Sequence, residues 1–158
     1  MSLSRRLWML LAVLLGLWAP SPAHADVTQR VPILLFGGAD HEHFLGCLNC
    51  ERSEAFSVWN ETVDYGSTAH AHSIWNRDGV YGSLSSPWSP WNPSSTTPPI
   101  AVDRAGNLYG HFTRNLSNPN RVRRRDSHVA RSEFELLVWL LDNYDWVITH
   151  LDEMRAQY

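Results

Sequence analysis

The feature that most constrains the fold is a short repeat in the middle of the chain. The dipeptide Trp-Asn recurs at a spacing of 16 residues, beginning at Trp59, Trp75 and Trp91. We call the segments around these three tryptophans the first, second and third copies of the repeat. A serine lies two residues before each tryptophan, and the tripeptide Tyr-Gly-Ser follows the first two copies at Tyr65 and Tyr81. This period is too short for the usual helical repeats, so each copy must bury its apolar side chains against neighbouring copies or against the rest of the chain.

Each copy also carries a turn signal. Asn76 to Gly79 lie between two short apolar pairs, and Asn, Asp and Gly tolerate the left-handed backbone of tight hairpin loops. We therefore expect each copy to form a short irregular β-hairpin. The repeat tryptophans and Trp88 could present a stacking surface to sugar rings, but repeated aromatic residues in a small fold are usually buried, which favours a core role.

A further hairpin is predicted after the repeats. Residues 100–102 and 108–113 are β-type runs, and the turn residues Asp103 to Asn107 lie between them. Together with the hairpins of the repeats, this segment indicates a small β-rich region in an α+β protein.

The last predicted element is a long helix. Ser132 and Glu135 form a capping-box pattern, and apolar residues then recur at helical spacing. We expect a helix over residues 132–156 that packs on the three repeats. Residues 114–131 are predicted to be a polar, Arg-rich linker, although its run Arg121–Arg125 could also bind phosphate or an anionic membrane surface.

Residues 1–25 have the pattern of an export signal. Arg5 and Arg6 precede an apolar run that is too short to span a bilayer comfortably, and the small-x-small site Ala23–Ala25 follows. Removal of this segment changes the formal net charge from −3 to −5, because it contains two arginines and no acid. We expect residues 26–158 to form one small domain that is periplasmic or secreted, is not an integral membrane protein and does not bind nucleic acid.

Both cysteines lie in a single Cys-x-x-Cys segment, Cys47 to Cys50. In an oxidising compartment the two residues can form a local disulfide. They could instead be a redox-active pair, although the surrounding sequence lacks the alternation of a thioredoxin-like fold. A third alternative is that the two thiolates supply half of a tetrahedral zinc or iron site.

Two His-x-His segments could complete such a metal site. His41 and His43 precede the cysteines, and His70 and His72 follow them. Residues two apart in a strand point to the same face, so either pair could join the two cysteines in a site with two nitrogen and two sulfur ligands.

Three segments together resemble a family of small exported or surface-associated bacterial proteins without an established activity. These segments are Phe44–Cys50, the Trp-Asn and Tyr-Gly-Ser repeats, and Pro98–Gly110. The resemblance covers residues 33–113 and implies an exported bacterial module, with no catalytic residue to carry over. His70 and His72 depart from the family pattern, which usually has Ser, Asp or Tyr there, and this weakens a family-wide metal role.

The sequence contains no common enzyme signature. A nucleophile elbow, a His-Glu-x-x-His motif and a phosphate-binding glycine loop are all missing from it. We expect a non-enzymatic exported module without a cofactor, which binds an envelope or extracellular ligand and is stapled by the disulfide. The alternative is a metal-binding protein or metal-dependent hydrolase that uses the cysteine and histidine clusters.

Overall fold

The computed structural model describes residues 30–123 and 131–158. The predicted export signal lies outside these residues, as does the part of the predicted linker from 124 to 130. Within them the chain has a mixed α+β structure, with a four-stranded antiparallel sheet and three short helices. The strands are β1 (Leu34–Gly37), β2 (His43–Cys47), β3 (Ile100–Val102) and β4 (Leu108–His111), and the helices are α1 (Arg131–Asp142), α2 (Tyr144–Thr149) and α3 (Leu151–Arg155).

The sheet joins the segment before the repeats to the hairpin that follows them. Its strand order is β2-β1-β3-β4, so β1 pairs with both β2 and β3. Leu35 in β1 lies opposite Gly46 on one side and Ala101 on the other, and all three are buried. Alternate residues along a strand point to opposite faces, so these positions form the face that packs on the core.

Strands β3 and β4 form the hairpin predicted after the repeats. The Asp103 carboxylate accepts hydrogen bonds from the backbone N–H groups of Ala105 and Asn107 and from the Asn107 side chain. Burial alone would raise the pKa of Asp103, but these bonds and one from the Gly106 backbone outweigh it, and the pKa lies below its ordinary value. These hydrogen bonds join residues that are close in the sequence, and the sequence therefore predicts the turn.

The Trp-Asn copies form consecutive turns and contain no strand, which corrects the predicted hairpins. In the second copy the backbone N–H groups of Ser73, Asn76 and Gly79 each donate to the carbonyl three residues earlier. The Asn76 side chain accepts the N–H of Asp78 and donates to the carbonyl of His70. The equivalent side-chain bonds are made by Asn60 and Asn92. These side chains satisfy backbone groups that a hairpin would pair between strands.

The three repeat tryptophans form a column of neighbouring rings through the core. Trp59, Trp75 and Trp91 are buried, and the ring centroids of successive members lie 5.3 and 5.5 Å apart. Each indole N–H donates to a backbone carbonyl of the preceding segment, and the three acceptors are Leu48, Val58 and Ile74. The three tryptophans therefore belong to the core, and their faces are not open to a sugar ring.

The C-terminal segment covers both ends of this tryptophan column. Tyr144 in α2 stacks on Trp91 with ring centroids 4.5 Å apart. Tyr158, which follows α3, stacks on Trp59 at 4.6 Å. The column is thus five rings long, and its terminal rings come from the same short stretch of chain.

The predicted helix over residues 132–156 is divided into α1, α2 and α3. The breaks lie at Asn143 and His150, whose φ/ψ values of −113°/20° and −119°/31° are not helical. The Asn143 side chain donates to the carbonyl of Trp139, and the Thr149 hydroxyl donates to that of Trp146. In such bonds a polar side chain competes with backbone N–H groups for a helical carbonyl, which favours a break in the helix. None of the helices in the described part of the chain is long and apolar enough to cross a membrane.

The described part of the predicted linker is held against the folded protein. Arg121 donates to the carbonyl of Thr113 and pairs with Asp142 at 2.7 Å, and its side chain is only 10% exposed. Arg114 makes two hydrogen bonds to Asp145. These two arginines therefore attach the C-terminal segment to the hairpin region and do not form a solvated stretch.

Candidate functional site

Cys47 and Cys50 form a disulfide, and both side chains are buried. The structural alternative for the Cys-x-x-Cys segment is therefore confirmed. Thiol–disulfide exchange requires a thiolate to reach one of the sulfur atoms, so this burial argues against a redox-active pair. The N–H of Cys47 donates to the carbonyl of Phe56, and the N–H of Val58 donates to the carbonyl of Cys47. The bridge thus lies where β2 meets the first copy.

We expect the double variant Cys47→Ala, Cys50→Ala to lose about 2 kcal/mol of unfolding free energy, because even a short disulfide loop restricts the unfolded chain. Urea unfolding followed by circular dichroism measures this change. Wild-type protein that has been unfolded and refolded in reductant should have the same unfolding free energy as the variant. Reductant should not change the unfolding free energy of the variant itself. Equal unfolding midpoints for the variant and the oxidised wild type would contradict the stabilising role of the bridge.

The residues predicted as metal ligands do not form one ligand cluster. The two cysteine sulfurs are bonded to each other and are not thiolates. The ring of His41 packs against His111 with centroids 6.0 Å apart, and His70 Nε2 lies 3.4 Å from a carboxylate oxygen of Asp64. Within residues 30–123 and 131–158, no three His, Cys, Asp or Glu side chains are grouped so that they could hold a metal ion. The alternative site that combines cysteine and histidine ligands is not assembled among these residues.

One contact does join the two His-x-His segments. The rings of His43 and His72 stack with centroids 6.0 Å apart, and both lie within 6.4 Å of the Tyr81 ring. These side chains border an open cavity of about 420 Å³, which we call the His43–Trp88 groove. Its lining residues are Gly38, Ala39, Glu42, His43, Ala71, His72, Val80, Tyr81 and Trp88.

A glycine and the repeat spacing position the side chains of the groove. A Cβ atom at Gly37 would lie 2.6 Å from a ring carbon of Tyr81, so the glycine leaves the space that this ring occupies. His72 and Trp88 each come directly before the serine of a copy, and they are 16 residues apart. These two positions are equivalent in successive copies, and both line the groove.

The Tyr81 hydroxyl fixes the orientation of His43. Burial, and secondarily the charge of Glu42, raises the pKa of Tyr81, so the phenol keeps its proton at neutral pH. Tyr81 Oη lies 2.6 Å from His43 Nδ1, and this hydrogen bond holds the imidazole ring in one orientation. His43 Nε2 in turn lies 3.8 Å from Glu42 Oε1. The rim of the groove therefore presents an oriented imidazole nitrogen beside a carboxylate.

Sequence reasoning found parts of this site but did not place them together. It named His43 and His72 as metal ligands and Trp88 as a stacking residue, and it assigned no site role to Tyr81 or Val80. The signal that could have linked two of these residues is the 16-residue spacing of His72 and Trp88. The packing of β2 beside the second copy joins distant parts of the sequence, and no local sequence pattern predicts it.

Comparisons of the chain with known protein families, with curated protein sequences and with solved structures found no match in any of the three.

Proposed function

We propose that this protein is a non-enzymatic exported module and that the His43–Trp88 groove is its ligand site. The observation that carries the proposal is the convergence of rings from β2, the second copy and the third copy on one open concave surface. Sites for small ligands are typically concave, with apolar and aromatic linings and a few oriented polar groups. Ala39, Ala71 and Val80 supply apolar surface here, and His43 and Glu42 supply polar groups.

The chemistry of the lining favours binding over catalysis. Among its described residues Glu42 is the one carboxylate, whereas most glycoside hydrolases use a pair. None of these residues is a serine, threonine or cysteine, which are the commonest nucleophiles. The raised pKa of Tyr81 makes its phenolate still rarer at neutral pH. Stacking and hydrogen bonding are what such a set of side chains does best.

In this proposal the three Trp-Asn copies are one repeat scaffold that supports the groove. Support comes from bonds that recur every 16 residues. In each copy the serine hydroxyl accepts a hydrogen bond from the backbone N–H of the tryptophan two residues later. These serines are Ser57, Ser73 and Ser89. The scaffold is then a rigid base from which the side chains at positions 72, 81 and 88 project.

A location in the periplasm or outside the cell belongs to the same proposal. It rests on the signal-like pattern of residues 1–25. The Cys47–Cys50 disulfide supports it, because such bonds persist mainly in oxidising compartments. The ligand would then belong to the cell envelope or the extracellular medium.

Val80→Arg should abolish ligand binding without unfolding the protein, because Val80 lines the groove and is 51% exposed. The probes are methyl β-glucoside, indole and benzyltrimethylammonium, and binding is followed by backbone amide shifts in NMR spectra. We expect at least one probe to shift the signals of groove residues in the wild type and none to do so in Val80→Arg.

Leu84→Arg is the matched control for this experiment, because Leu84 is also exposed but does not line the groove. Its probe-induced shifts should match those of the wild type. The proposal would be overturned if no probe shifted the groove signals, or if the shifts persisted in Val80→Arg.

A further inference from the structure

Trp88 differs from the repeat tryptophans in what its indole N–H contacts. Trp59, Trp75 and Trp91 each donate this N–H to a backbone carbonyl. Trp88 is half-buried and lines the groove, and its backbone N–H donates to Ser86 Oγ. Its Nε1 has no hydrogen-bond partner among residues 30–123 and 131–158. Both an indole face and an N–H donor are therefore available to a ligand.

Other hydrogen-bonding groups lie on the same groove. His72 is exposed, and its ring nitrogens have no hydrogen-bond partner within the described part of the chain. A neutral imidazole offers one donor and one acceptor nitrogen. His43 adds its oriented Nε2, and Glu42 adds carboxylate oxygens. The indole of Trp88 thus shares the groove with both donors and acceptors.

Building on the proposed function of the groove, we propose that its ligand is a neutral saccharide ring. A pyranose has a face of C–H groups that can pack on the negative face of an aromatic ring, and its edge carries hydroxyls that donate and accept hydrogen bonds. Trp88 stacks on the C–H face and donates to a hydroxyl, while His43, His72 and Glu42 bond to the remaining hydroxyls. A purely apolar ligand would leave these polar groups without partners, which is unfavourable.

An organic cation is the competing ligand class, because cations also bind to aromatic faces. Glu42 is the one acidic residue among the described lining residues, and its side chain is 69% exposed, so water screens its charge. Charge attraction therefore contributes little here, and a neutral polar ring fits the groove better.

The test titrates the full ¹⁵N-labelled chain at neutral pH with cellotriose and chitotriose, and separately with benzyltrimethylammonium chloride. We expect a saccharide to shift the indole Nε1–H signal of Trp88 saturably. Its affinity should be the same in low and high salt, because a neutral ligand has no charge to be screened. Trp88→Phe keeps an aromatic face but removes the donor, and it should weaken binding about three- to tenfold. Trp146→Phe, at an exposed site outside the groove lining, should bind as the wild type does.

The outcomes separate this proposal from the proposed function. Binding of benzyltrimethylammonium alone, blocked by Val80→Arg, would overturn the saccharide class and leave the groove as the ligand site. Equal saccharide affinities of Trp88→Phe and the wild type would overturn the role assigned to the indole N–H. Saccharide shifts that survive Val80→Arg would place binding elsewhere and overturn both proposals.

Discussion

Trp75→Ala is expected to lower the free energy of unfolding by about 3–5 kcal/mol, the cost typical of truncating a buried aromatic side chain. Trp75 is the middle ring of the column and contacts Trp59 and Trp91 on its two sides. Its removal leaves a cavity between these rings and takes the indole donor at 2.6 Å away from the carbonyl of Val58. A domain of this size is typically stable by about 5–15 kcal/mol, so the variant should lose a large share of its stability.

Urea unfolding followed by far-ultraviolet circular dichroism measures the effect of Trp75→Ala. Trp75→Phe keeps a ring in the column and loses the N–H donor, so its stability should fall between those of the alanine variant and the wild type. Trp146→Ala is the control, because Trp146 is 42% exposed and most surface substitutions change stability by about 0.5 kcal/mol or less. Equal losses for Trp75→Ala and Trp146→Ala would contradict the structural role of the column.

Gly82→Ala is expected to cost about 3 kcal/mol or more, at the upper end of the usual effect of overpacking. A Cβ atom at Gly82 would overlap the carbonyl oxygen of Asn76 and would lie 2.5 Å from its carbonyl carbon. Asn76 cannot move away easily, because its backbone N–H donates to Ser73 and its side chain bonds to His70 and Asp78. The clash is therefore with backbone that the turns hold in place.

Gly106→Ala is the matched control for Gly82→Ala. Gly106 has a φ of 82°, so alanine is strained there, but among the described residues no heavy atom beyond the two neighbours in the chain lies within 4 Å of the added Cβ. Backbone strain alone should cost about 1–2 kcal/mol. Thermal and urea unfolding of the two variants separates strain from steric conflict, and a larger loss for Gly106→Ala than for Gly82→Ala would contradict the close contact with Asn76.

The parts of the fold that depend on near neighbours could be predicted from the sequence. The hairpin of β3 and β4 follows from the turn residues Asp103 to Asn107, whose side chains bond to their own backbone. Two cysteines three residues apart allow three alternatives, and the export-like pattern of residues 1–25 favours the disulfide among them. The burial of the repeat tryptophans follows from the size of their apolar surface.

The remaining features arise from contacts between distant segments or from ambiguous local signals. Asn76 to Gly79 contain the same residue types whether they form one hairpin loop or a series of turns, so composition could not separate the two. The central position of β1 requires pairing with β3, far along the chain, which no local pattern encodes. The break before Tyr144 coincides with its stacking on Trp91, a contact that helical periodicity does not contain.

The same reasoning explains why only fragments of the candidate site were visible. His43 and His72 were recognisable as unusual histidines, but their contact depends on the packing of β2 beside the second copy. Tyr81 belongs to a repeated tripeptide and so looked structural, although its hydroxyl also orients His43. A residue that serves both the scaffold and the groove gives no separate sequence signal.

The two tyrosines at the ends of the tryptophan column bear on how this protein can change in evolution. Repeat proteins commonly gain or lose whole units by duplication and deletion. Here Tyr144 and Tyr158 are 14 residues apart, which is a length of about 21 Å if the segment is fully helical. They cover the two ends of a column in which neighbouring ring centroids lie 4.5–5.5 Å apart. An extra 16-residue unit would lengthen the column of rings without lengthening the segment between the two tyrosines. One terminal indole would then no longer contact a tyrosine ring. The number of units is therefore tied to the length of a separate segment, and the two can change only together.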